Sequence, residues 1–98
     1  MGNNQQSAET IVLDERLDLT AASALCAALI EQRGKPLTID AEKVEHLGSQ
    51  CLQVLISAAL TWRADNAELS YSGRSSAFTQ SLENFGAPMD ALVTGGDL

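Results

Sequence analysis

A chain of 98 residues with an apolar share of 45% is one domain, large enough to fold around its own core without metal or disulfide staples. Its net charge of −7, with six Lys and Arg residues scattered along it, argues against nucleic acid and against an anionic membrane as partners. One histidine, His46, and two cysteines without a CxxC spacing cannot complete a metal site.

Residues 1–9 are polar, lack the apolar stretch of a secretory leader, and read as a flexible tail. No run approaches the roughly 20 apolar residues of a membrane span, so a cytoplasmic protein is expected. Thr10, Ile11, Val12 and Leu13 form a β-prone run that stops at Asp14 and Glu15. Leu17 is apolar and reads as inward. Asp18 or Thr20 offers an oxygen to cap a helix over residues 21–32. Along that helix Ala22, Leu25, Cys26, Leu29 and Ile30 recur at helical spacing; Gly34 is a natural end and Pro36 bars continuation.

Residues 37–40 predict a second strand and residues 41–48 a turn. A second helix is predicted over residues 50–64. Leu52, Leu55, Ile56, Ala59 and Trp62 mark its core face, and Gln50, Gln53, Ser57 and Thr61 the opposite one. Cys51, Val54, Ala58 and Leu60 widen the apolar arc. Either neighbouring elements cover all of it, or its first turns present a docking face. Asn66 ends this helix, and residues 68–73 alternate as a third strand. Ser75 or Ser76 caps a third helix from Ala77 to about Asn84, with Phe78, Leu82 and Phe85 inward and Gly86 at its end. Pro88, Met89, Leu92 and Val93 suggest a last docking segment, and residues 95–98 a frayed end. Cys26 and Cys51, both among apolar helical neighbours, read as buried reduced thiols.

Strands alternating with helices predict an α/β fold: one domain over residues 10–94, with a small, mostly parallel mixed sheet of three to four strands and three to four helices. No phosphate-loop, dinucleotide-binding, nucleophile-elbow or zinc-protease motif occurs. His46 beside Glu45 reads as a loop histidine rather than a base and its orienter, and the 13 carboxylates read as a solvated surface. No catalytic residue, cofactor or metal ligand is therefore expected. What stands out is the hand-over from strand to helix at residues 40–55. Asp40 either supports this loop or simply forms its turn. Gly48 suggests a tight or positive-φ entry. Ser49 is either the helix cap, worth about 1 kcal/mol, or a phosphorylation site at the positive end of a helix.

These residues resemble the central motif of the STAS domain, D-L-S-x-V-x-F-I-D-S-S-G-L-G-V-L, found in bacterial anti-sigma factor antagonists and in the tails of sulfate transporters. Asp40 matches the leading aspartate, Val44 the valine, Leu47 the apolar position and Ser49 the first serine, while Leu52, Val54 and Leu55 match the helix. Glu15, Arg16, Leu17 and Asp18, followed by Thr20, Ala21 and Ala22, are similar to the family's earlier G-E-L-D segment. Gly73 and the Phe85-Gly86 helix end are similar to its later part. Gly48 stands where the family has an aspartate, Gln50 where it has a second serine, and Cys51 where it has a glycine. The run over residues 48–55 is more similar to small STAS proteins of chemotaxis operons. The resemblance implies a non-enzymatic signalling adaptor that binds a chemotaxis histidine kinase and modulates phosphoryl signalling. Its contact surface would be His46, Leu47, Gly48, Ser49, Gln50, Cys51, Gln53 and Val54. Two alternatives within the family are an anti-sigma factor antagonist switched by phosphate on Ser49, and a STAS subunit that clamps the ATPase of a lipid-transport ABC complex.

Overall fold

The computed structural model describes residues 9–94. The expected tail over residues 1–8 and end over residues 95–98 lie outside them, and Glu9, expected in the tail, opens the first strand. In chain order the elements are β1 (Glu9–Val12), β2 (Arg16–Leu17), a 3-10 turn (Leu19–Ala21), α1 (Ala22–Glu31), β3 (Leu37–Ala41), β4 (His46–Leu47), α2 (Ser49–Ala64), β5 (Leu69–Arg74), α3 (Ser76–Phe85) and a final 3-10 turn (Met89–Leu92).

The main sheet is parallel, in the order β1-β3-β5. Successive strands step across it in one direction, so right-handed crossovers lay α1 and α2 side by side on the same face, where they pack on each other. The central strand shows why its sequence reads as a strand. Leu37, Ile39 and Ala41 alternate inward and are fully buried, while Thr38 and Asp40 lie half-buried on the opposite face. Thr38 and Ser70, paired in register, bring their hydroxyl oxygens within 3.4 Å on that face.

Beneath the helices lies one continuous core in which Leu37, Ile39, Leu55, Trp62, Leu69, Phe78 and Leu92 are almost wholly removed from water. Each such aliphatic side chain contributes roughly 2 kcal/mol. Trp62 buries its polar edge by donating its indole N–H to the Lys35 carbonyl at 2.7 Å. Thr94 ties the last segment to the start of β5: its hydroxyl accepts from the Leu69 N–H at 2.8 Å and donates to the Ala67 carbonyl at 2.9 Å.

Several local expectations change. Ile30 (65% exposed) and Phe85 (47% exposed) lie outside the core, and Cys26 is exposed. α1 turns only Leu25 and Leu29 fully inward, because one sheet face and one neighbouring helix cover a narrow stripe of it. The residue flanking the end of α1 is Gln32 rather than Gly34. Asn66, at φ +57°, and Gly86, at φ +72°, follow α2 and α3 as expected. Among the described residues no helix is long and apolar enough to cross a membrane.

Candidate functional site

The loop between β3 and α2 is held at every step. Asp40 Oδ1 accepts the Glu42 N–H at 2.9 Å, so its carboxylate forms the turn. Val44 is buried and pins the loop to the core, and its carbonyl accepts the Ser75 hydroxyl. The Glu15 carbonyl accepts the N–H groups of both Glu45 and His46, at 2.7 and 3.0 Å. Arg16 and Leu17 then pair with His46 and Leu47 in the short parallel ladder of β2 and β4. The loop that the sequence marks is thus fastened to the segment after β1, some thirty residues earlier in the chain.

Gly48 enters α2 with extended backbone, φ −86° and ψ 166°, so no positive φ requires glycine there. Space does. The Gly48 N–H donates to the Leu17 carbonyl at 2.8 Å, and a Cβ on residue 48 would stand 3.1 Å from that same oxygen. The His46 imidazole lies beside this gap, with Nε2 3.7 Å from the Cβ position. Gly48 is the cap residue of α2 and Ser49 the first helical residue, so Ser49 does not cap the helix. No side chain caps α2 and its first turn carries no acidic residue, so the N–H groups at its positive end are met by neither.

The eight residues expected at the contact surface divide into three groups. His46 and Ser49 are exposed and Gly48 is half-buried, all at the entry to α2. Gln50, Gln53 and Val54 line a groove of about 260 Å³ between α1 and α2, with both glutamines exposed and Val54 half-buried. Leu47 (2% exposed) and Cys51 (0%), both expected on the contact surface, belong instead to the interior. Leu47 is the inward residue of its two-residue strand. Cys51 shares the buried face of α2 with Leu55, Ala58, Ala59 and Trp62. The Cys51 thiol donates to the Asp18 carbonyl at 3.3 Å, and burial, aided by the Asp18 charge, pushes its pKa up.

Asp18 lies beside the entry to α2, its Cα 3.8 Å from where a Cβ on residue 48 would stand. Its Oδ1 accepts the Thr20 hydroxyl at 2.7 Å and the Thr20 N–H at 3.1 Å, and these bonds, the hydroxyl first, hold its carboxyl below the ordinary range. The far side of the groove comes from α1, through Cys26, Ile30 and Arg33. Sequence reasoning missed Cys26 and Ile30 because an apolar residue at helical spacing reads as core, and Arg33 because it lies past the end of α1. The one available signal was that α1 is apolar nearly all round. Among the described residues no group of three or more His, Cys, Asp and Glu side chains is placed to hold a metal.

A parallel sheet with its helices layered on one face, and a loop-to-helix corner bearing an exposed serine, define a small α/β module of the STAS class. The chain belongs to that family: the family model described as "Mlab, STAS domain" matches residues 2–94. No curated protein and no solved structure matches the chain.

Proposed function

We propose that this chain is a non-enzymatic, cytoplasmic STAS adaptor that binds a bacterial chemotaxis histidine kinase through the entry of α2 and the groove between α2 and α1, and so modulates phosphoryl signalling. The observation that carries the docking surface is the pairing of exposed Ser49, Gln50 and Gln53 with half-buried Val54 beside an open groove. The choice of kinase rests on the run over residues 48–55. The test is titration calorimetry of the purified chain against the chemotaxis histidine kinase of its own genome. Gln53→Arg places a bulky charge on an exposed position of this face. It is expected to weaken binding about tenfold while leaving the melting temperature unchanged. Absence of binding by the unmodified chain would sink the reading.

Membership of the STAS family leaves room for a second reading, a STAS subunit clamping the ATPase of a lipid-transport ABC complex. The same titration against such an ATPase separates the two. Ser49, exposed at the positive end of α2, makes phosphorylation a switch on either partner. Ser49→Asp is expected to lower affinity for the true partner without changing the fold.

A further inference from the structure

A second surface lies away from α2, at the outer edge of the sheet. Among the described residues β1 pairs only with β3, and nothing pairs with its other side. The Leu13 N–H donates inward to the Asp40 carbonyl at 2.9 Å, so the alternation of the strand directs the N–H and C=O of Thr10 and Val12 outward. Glu9 is the one charged side chain on this short edge. The edge has no Lys, no Pro and no bulge, and Val12 is 49% exposed on it. Directly beside it, between β1 and α1, runs a groove of about 160 Å³ whose walls include Ile11, Leu13, Leu17, Ala24, Leu25 and Ala28.

We infer that this edge and groove take an added β-strand from a partner protein: an extended segment with alternating apolar residues and a cationic flank. Outward main-chain groups at Thr10 and Val12 provide the ladder, and the groove receives every second side chain. The chain's own remaining segments do not fit. Residues 1–8 contain only Met1 and Ala8 as apolar side chains, and residues 95–98 follow Thr94, which is bonded to Leu69 on the opposite edge strand. A second copy brings another net charge of −7 against the first. Charge selects the flank. Glu9 begins the open stretch, whereas Asp14 and Glu15 beyond its other end share their hollow with Arg16 and Lys43. A Lys or Arg at the end of the strand that meets Glu9 therefore complements it. This surface is independent of the kinase-binding reading and stands or falls separately.

The probe is a capped peptide of alternating Val and Thr between pairs of Lys, titrated into the full chain and followed by amide NMR and hydrogen exchange. The amides of Thr10, Val12, Ala24 and Ala28 are expected to shift, and those of Thr10 and Val12 to gain protection. Thr10→Pro removes one outward donor and leaves the ladder to β3 complete. Ala24→Arg, on an exposed position of α1, puts a cation into the groove. Each is expected to weaken binding about tenfold, whereas Gln53→Arg leaves it unchanged. No shift at millimolar peptide, or shifts confined to the α1–α2 groove, overturns the inference. Two further results also overturn it: a dimer by light scattering protected at Thr10 and Val12 without peptide, and tighter peptide binding once residues 1–8 are deleted.

Discussion

Gly48 shows how a single residue is set by a distant one. Its backbone is ordinary, yet a side chain there meets the Leu17 carbonyl oxygen at 3.1 Å. Gly48→Ala adds that contact and replaces a tolerated cap residue by a poor one. The expected cost is about 1 kcal/mol in urea unfolding. Gly48→Ser adds the same Cβ but brings a capping oxygen to α2, so it is expected to be milder than the alanine variant. The sequence marks a glycine at a turn here, but not the reason for it, because the reason is a backbone oxygen 31 positions earlier. Asp18 is the opposite case, since its bonds are local, but where the sequence offers Asp18 or Thr20 as the cap of the helix over residues 21–32, Asp18 caps the 3-10 turn Leu19–Ala21 and α1 follows Ala21 without a side-chain cap. The Asp18 bonds lower its folded pKa below 3.8, so the stability they supply is complete above the ordinary carboxylate range and is lost as pH falls through the lowered value. Asp18→Asn still offers an oxygen to Thr20 but does not titrate. Its urea midpoint is therefore expected to fall less than that of the unmodified chain between about pH 5 and about pH 3.

At the scale of elements, the helices and long strands were legible where a repeating pattern met a firm stop. β3 alternates over five residues, and α3 opens on a serine and closes on a glycine. β2 and β4 were not legible, because two residues carry no period and their pairing joins segments far apart in sequence. The candidate site was read in part for the same reason. The outward residues of α2 follow from helical spacing, but its partner wall on α1 depends on how the two helices lie together. Ser75 couples elements in a way that local pattern captures only by half. Its hydroxyl oxygen accepts the Phe78 N–H at 3.0 Å, the expected cap, and its O–H donates to the Val44 carbonyl of the site loop. Ser75→Ala removes both bonds and leaves a carbonyl without its donor. The expected loss is about 2 kcal/mol by urea unfolding, with amide exchange quickening in residues 42–46 as well as at the start of α3. A plain helix cap would alter α3 alone, so the exchange pattern distinguishes the two roles.

Over the whole molecule, the two cysteines report the difference between surface and interior. Cys26 stands on the wall of the open groove, whereas Cys51, on the paired helix, touches no solvent and packs in the same cluster as Leu55, Trp62 and Phe78. That cluster draws on every long element of the chain, so no small local opening bares Cys51. A thiol reagent at neutral pH is therefore expected to modify one cysteine per chain at the rate of a free thiol, and Cys26→Ser to abolish that fast phase. The second modification should follow global unfolding: its rate should rise with urea in step with the unfolding transition, and Ser75→Ala should accelerate it by the factor that the lost stability dictates. Fast double labelling in water would mean that α2 parts from the sheet without the rest of the core, and with it would go the fixed corner on which Ser49, Gln50 and Gln53 are displayed.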